Sequence, residues 1–233
     1  MSEDLAGVWP LLGMRLKTAR LELAIADTRD LMNLARASGD IQPADEPRYH
    51  KSYLYEPSPD RERHLLQKHW RALAHWKPTS WDLHLAIRLG GVAIGVQNMW
   101  ANNFAVVRDV ETGSWITRSH QGQGYGTEAR AAILEFAFAH LGALEAHTSY
   151  VKGNIASETV SRKLGYVYNG RRAYDRDGVR TIEHCMLLDA AAWETHRVAG
   201  VSVEGGHSRL SGVVRRRLTL RPLGRRGGRA PTA

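Results

Sequence analysis

Residues 120–141 read HQGQGYGTEARAAILEFAFAHL, with Gly122, Gly124 and Gly126 alternating at the mouth of a strong helix-forming run. A glycine in a helix interior costs about 0.8–1 kcal/mol relative to alanine. Three together are a poor start for a helix unless the backbone itself has to be bare. The preceding GSWITR (113–118) reads as a strand. A strand that hands over to a helix leaves the first helical N–H groups without partners. With the helix dipole, these groups form an anion site. Glycines let that backbone approach an anion without Cβ atoms in the way. The run therefore predicts a pyrophosphate cradle made by the backbone of residues 121–126. Thr127 adds a hydroxyl, and the Gln121 and Gln123 side-chain amides sit at the rim. The plainer alternative is a tight glycine turn with no ligand.

Two common phosphate sites are excluded by spacing. The ATP loop requires G-x-x-x-x-G-K-[ST], which the chain lacks. A dinucleotide fold requires G-x-G-x-x-G and an acid about 20 residues on, at the far end of the next strand. Glu145 lies at that distance but opens its strand, and several antiparallel-looking strands precede the glycines.

The rest of the chain reads in a clear order. RLELAIA (20–26) is a strand, and Asp27 is an N-cap for a helix to Ala37. A Pro-rich loop over 41–58 contains Tyr49, Tyr53 and Tyr55 and is where acceptor specificity is expected. A helix begins near Asp60 with Pro59 at its first position, buries Leu66, Trp70, Leu73 and Ala74, and ends by Lys77-Pro78. Alternation over 81–89 and 92–96 around Gly90-Gly91 is a hairpin. An extended stretch leads to the glycine run. The helix after it runs to about Leu141 and buries Ala129, Ile133, Phe136, Ala137 and Leu141. Then come EAHTSYV as a strand, a helix ending at Gly165, strands YVYN and TIEHCMLL, a helix over 190–197 and a strand near 200–204. The sum is an α+β domain with a mixed sheet.

Composition narrows the class further. The net charge of +8 is concentrated in seven arginines between Arg215 and Arg229, where no acid occurs. The expected division is a nearly neutral body over 1–208 and a basic, disordered tail over 209–233. An arginine tail can hold nucleic acid, but it lacks interleaved aromatics. The opening residues include Glu3 and Asp4 and show no signal pattern, no long apolar run occurs, and Cys185 stands alone. These point away from a membrane and toward the cytoplasm. No zinc-ligand spacing appears, and Asp175-x-Asp177-Gly178 fails as a calcium loop because Ala173 and Glu183 break its spacing.

Two motifs carry a resemblance. Gln121-x-x-Gly124-x-Gly126 matches the [QR]-x-x-G-x-[GA] signature of the GNAT N-acyltransferases, and NIASETVSRKLGY matches their second signature. The similarity spans roughly residues 15–190 and is greatest to RimJ/RimL-type enzymes, including mycobacterial members that use succinyl-CoA. It implies a mixed sheet of about seven strands, splayed into a V between the middle strands. The implied donor is acetyl-CoA or succinyl-CoA and the acceptor an amine on a protein or small molecule. A homo-oligomer is also implied. Residue by residue, it places the CoA pyrophosphate on Gln121, Gly122, Gln123, Gly124, Tyr125, Gly126 and Thr127. Ile116, Thr117 and Asn154 are placed on the pantetheine arm, and Ser157 near the thioester sulfur as a proton donor. From the residues alone, Asn154 reads equally as a helix cap and Ser157 as a helix-face hydroxyl.

The implied reaction is direct attack of a neutral amine on the thioester. RimL-like sequences carry Glu-Gly after K-L-G-[FY], whereas this chain has Asn169-Gly170, which cannot supply a base. His84, Glu111, His120, His147 and His184 remain candidates by type. Arg118, Lys152, Arg171 and Arg172 are candidate partners for a succinyl carboxylate. Cys185 reads as a buried structural thiol. His64, His69 and His75 read as a polar helix side, and Trp70, Trp76, Trp81, Trp100 and Trp115 as core or sheet-face residues. Two further readings stay open: a catalytically silent acyl-CoA sensor on the same fold, and a nucleic-acid-associated protein acting through the tail.

Overall fold

The computed structural model describes residues 3–42, 54, 56–176 and 178–205. The tail over 209–233 and the tyrosines Tyr49, Tyr53 and Tyr55 lie outside them. The strands are β1 (Arg15–Lys17), β2 (Leu21–Ile25), β3 (Ser80–Leu89), β4 (Val92–Asn102), β5 (Asp109–Ile116), β6 (Glu145–Val151), β7 (Val167–Arg176), β8 (Val179–Asp189) and β9 (Ser202–Glu204). Among the described residues they form one sheet of nine strands in the order β7-β8-β6-β5-β4-β3-β2-β1-β9. The two more than expected include β1, whose three residues are too few to show a period. All neighbours are antiparallel except β5 and β6.

The helices are α1 (Glu3–Val8), α2 (Thr28–Ala37), α3 (Asp60–Ala74), α4 (Phe104–Val107), α5 (Tyr125–Glu135), α6 (Ile155–Lys163) and α7 (Ala190–His196). Helices α2 and α3 lie on one face of the sheet, over Ala86, Val96 and Trp115. Helix α5 packs on the other and continues as a π-helix through Leu141. It buries every residue from Ala129 to Phe138, so its environment is core all round rather than one stripe. Trp193 of α7 is fully buried and stacks on Phe138 at 5.9 Å.

Local chemistry explains the boundaries. Asp27 caps α2 as expected: its side chain accepts from the Asp30 N–H, and the Asp30 carboxylate accepts from the Asp27 N–H. Asp30 is also buried against Arg88, which bridges to Glu22 as well. Gly90 and Gly91 both take positive φ (56° and 79°), as a tight hairpin of this twist requires. Pro59 sits one position before α3 rather than at its first residue.

Two expectations about faces are corrected. In α3, Leu65, His69 and Ala72 are buried, Leu66 and Leu73 pack half-buried against the core as read, and Trp70 (55% exposed) and Ala74 are exposed instead. In β4 a register shift against Ile87 and Arg88 makes a bulge at Ile94. Ile94 joins the core under α5 while Val96 joins the core under α2 and α3. The stretch after Asn102, read as extended, contains the short α4, entered and left through the left-handed residues Asn103 and Arg108. Hairpin β7–β8 is longer than read, because Asn169-Gly170 are absorbed as a bulge rather than ending a strand.

Candidate active site

The parallel contact between β5 and β6 is short. Asp109, Val110 and Glu111 pair with Glu145, Ala146 and His147, and beyond Glu111 the two strands part. The gap opens toward the C-terminal ends of both strands and holds a cavity of about 360 Å³. Gly113, Ile116, Tyr125, Thr148 and Tyr150 are among its lining residues. Each of the two parting strands is held on its far side, β5 by β4 and β6 by β8. The open edges present unpaired backbone of the kind an extended amide-bearing ligand can complete.

At the top of the gap the glycine run makes a tight turn into α5. Gly122 (φ 75°) and Gly124 (φ 84°) need the left-handed region, so their identity follows from the turn alone. Gly126 is different. It lies within α5, and a Cβ there would meet Ile116 and Val160 only at 3.9–4.0 Å, ordinary contact. The fold does not demand this glycine, which leaves open the space between β5 and α6. Gly124 stands at the N-cap of α5 with no side chain capping the helix. The first N–H groups of α5 thus face the cavity, whose wall includes Gly124, Gly126 and Thr127.

The two glutamines do other work. Gln121 Nε2 donates to the carbonyls of Ile41 (2.7 Å) and Ile116 (2.8 Å), pinning the loop to the end of β5. Gln123 Nε2 donates to the Ser119 carbonyl. Both side chains therefore hold the loop's shape, and Gln121 also lines the cavity. Arg20, in the β1–β2 turn, is a residue that sequence reasoning missed. It donates to the Gln123 carbonyl (3.1 Å), lies 4.5 Å over the Tyr125 ring and pairs with Glu128. Burial pushes the Glu128 carboxyl up, but hydrogen bonds from Thr18 and Arg20 outweigh it and hold the group below its usual range. In the sequence Arg20 reads only as the first residue of a strand, 108 residues from Glu128.

Along the gap, Thr117 N–H donates to Ile94 and its hydroxyl contacts His120 at 2.8 Å. The Ile116 carbonyl is taken by Gln121. Antiparallel alternation then turns the N–H groups of Ser114 and Ile116 toward the gap. Asn154 is the N-cap of α6, its Oδ1 accepting from Ser157 N–H at 3.1 Å. It is buried and still reaches the cavity wall, as does the half-buried Ser157. Tyr150 lines the same wall. Its burial, then the nearby Glu158 charge and hydrogen bond, push its phenol above the usual range.

At the foot of the gap stand Asn98, Trp100, Glu111 and Arg172. Glu111 accepts from Trp100 Nε1 at 2.9 Å and lies 3.3 Å from Arg172, which also pairs with the buried Glu183. Of the five base candidates, Glu111 and His120 line this cavity. His84 is buried against Asp82 and His69, His147 lies in an adjoining cavity, and His184 stacks on Tyr150. Asn169 is exposed in the β7 bulge, away from the cavity lining. Of the four candidate carboxylate partners, only Arg172 lines the cavity. Arg130, outside the face read for α5, is buried on its floor, donating to Ser114 (3.1 Å) and Thr148 (3.3 Å). Cys185 is half-buried rather than buried and lines the adjoining cavity. Asp109, Glu145 and His147, far apart in sequence pattern, bring ligand-type atoms within 4.8 Å of one another.

Comparison with solved structures places this architecture. RimJ of Mycobacterium smegmatis, solved with a CoA disulfide, is 18% identical over 89% of this chain and 96% of its own, with a TM-score of 0.62. A RimL ribosomal-protein alpha-N-acetyltransferase solved with coenzyme A is 17% identical over 75% and 97%, with a TM-score of 0.60. A GCN5-related N-acetyltransferase of Brucella melitensis is 15% identical over 78% and 81%, with a TM-score of 0.64. The sequence model of the acetyltransferase (GNAT) domain matches residues 20–167. That span holds the splayed strands, the glycine turn and α6, and the chain belongs to the acetyltransferase (GNAT) family of acyl-CoA-dependent enzymes.

Proposed function

We infer that the protein transfers an acetyl group from acetyl-CoA to the amine of a protein or small molecule by direct attack on the thioester. The observation that carries this reading is the gap between β5 and β6 ending at an uncapped helix N-terminus, with Gly126 kept bare where the fold would accept a side chain. The pyrophosphate sits on the N–H groups at the start of α5, with Arg20 beside it as a counter-charge. Pantetheine lies along β5 as an added strand, its amides meeting Ser114 and Ile116 and the amide of Asn154. The thioester then reaches the foot of the gap, level with Glu111.

There the amine nitrogen attacks the carbonyl carbon, the new C–N bond forms and the C–S bond breaks. Glu111, directly or through a water, takes the proton that the nitrogen loses. The departing CoA thiolate takes a proton from Ser157 or Tyr150. Holding the two reactants in one cleft supplies much of the acceleration. Succinyl-CoA is a second donor reading. It is favoured by Arg130 and Arg172, two guanidinium groups on the wall of the acyl end. RimJ/RimL-type relatives favour a protein N-terminus as acceptor, and a cytoplasmic homo-oligomer fits that setting.

Calorimetric titration with acetyl-CoA, succinyl-CoA and CoA, on wild type and Gly126→Trp, tests the reading. Binding in the wild type, weakened at least about tenfold in a variant that still folds, is expected. A succinyl-CoA preference moves the donor to the second reading. No binding of any CoA species overturns the cradle. Glu111→Gln should lower kcat by about 100-fold or more if Glu111 is the base.

A further inference from the structure

The cavity at the foot of the gap does not end there. A second space of about 290 Å³ adjoins it, sharing Trp100, Glu111, Thr148, Ser149 and Arg172 as common wall. Asp109, Glu111, His147 and Ser149 on its wall alternate along β5 and β6 with the core residues Val110 and Ala146, and the space also reaches Val110, Thr148 and Met186. Its charge is one-sided. Arg172 is matched by Glu183 and Glu111. Asp109 and Glu145 both converge on His147, at 3.9 Å and 3.3 Å from its Nε2. Asn98 stands in the first cavity, opposite Gly113 and one step along the sheet from the shared Trp100–Glu111 pair. It is 5% exposed, lines the thioester cavity, and its side-chain oxygen has no hydrogen-bond partner in the structure. A buried oxygen in that state is costly unless a ligand N–H supplies the bond.

We propose that this second space seats the acceptor, and that the acceptor is a small linear diamine. Its reacting amine meets Asn98 and Glu111, and its second ammonium is held by Asp109 and Glu145. The inference rests on the acyltransferase reading above. Asp109 and Glu111 are two residues apart on one strand and share a face, so their positions are about 7 Å apart. A four- or five-carbon diamine covers that distance. Trp100 provides the apolar and cation-accepting wall for the chain between.

The test compares kcat/KM for 1,5-diaminopentane and n-pentylamine with acetyl-CoA, in EDTA so that no divalent ion occupies the three groups around His147. CoA binding is measured on the same protein. The expected result is a preference for the diamine of at least about tenfold at low salt. The preference should shrink in 0.5 M salt by roughly the screening expected of partly exposed pairs. It should fall to near parity in Asp109→Asn/Glu145→Gln. Equal use of both amines by the wild type overturns the proposal, as does a preference that ignores both salt and the double variant. So does turnover of neither amine by protein that binds acetyl-CoA, an outcome that leaves the acyltransferase reading standing. Loss of CoA binding instead overturns that reading itself. If the double variant fails to fold, the salt series on wild type decides.

Discussion

His69 shows how a single side chain can be misjudged from its type. Five and six residues from its neighbouring histidines, it reads as part of a solvated helix side. In the fold it is 5% exposed, edge-on to His84 and packed over Leu31 and Leu34. Burial, then the neighbouring His84, lowers its pKa to about 4, against a smaller opposing pull from Asp30. The unfolded chain takes up a proton near pH 6.5 and the folded one only near 4. Stability is therefore full above pH 6.5, falls as pH drops between those values, and loses nothing further from this residue below about 4. The loss from this residue is on the order of 3 kcal/mol at most. Denaturant unfolding at pH 7.5, 5.5 and 4.5 should show that slope in wild type. It should be much flatter in His69→Leu, and an unchanged slope would assign the acid sensitivity elsewhere.

Among elements, α6 sets its capping residue on the cavity wall. Asn154 reads from sequence both as a helix cap and as a pantetheine contact, and the structure shows the cap in place while leaving the residue on the cavity wall. The two roles use different atoms and separate by substitution. Asn154→Ala should cost about 1 kcal/mol of stability through the lost cap. Asn154→Asp keeps an oxygen for the Ser157 N–H and removes the amide donor. It should melt close to wild type yet bind CoA several-fold more weakly. If it binds CoA as well as wild type does, Asn154 is a cap alone. The same element level shows what was legible. The glycine turn, the Asp27 cap, the Gly90-Gly91 hairpin and the α6 boundaries are signalled by local chemistry, and all stand where the sequence places them. The Ile94 bulge was not visible. It depends on Gly95, where a Cβ would fall 2.3 Å from the Trp115 carbonyl on the neighbouring strand. A period-two reading of one strand carries no information about its partner's register.

The whole molecule places the site through contacts that no window of sequence contains. Arg20 reaches the glycine turn from the other end of the domain, and Glu111 and His120 are set apart from His84, His147 and His184 only by where β5 leaves β6. Arg130, buried among hydroxyls on the cavity floor, sits in a helix whose amphipathic stripe gave no reason to look there. The motifs point to the ligand; the topology brings the residues of the cavity wall together.

The short seam between β5 and β6 also bears on how the molecule comes apart. Three residue pairs join the block β6–β8, which carries α6, to the rest of the sheet. Helix α5, packed on both β5 and α6, and side-chain links such as Thr148 to Thr112 and Arg172 to Glu111 add to that seam. Without ligand, the two blocks should open with different free energies, as separate cooperative units. A ligand lying in the gap binds only when both walls are present and so adds its binding energy to the unit that includes them. Hydrogen exchange should show amides of β6, β7 and β8 exchanging ahead of β2, β3 and β4 in the free protein. Saturating CoA should slow the first group until the two exchange together. Unequal exchange that CoA leaves untouched would mean that α5, rather than the ligand, holds the halves as one.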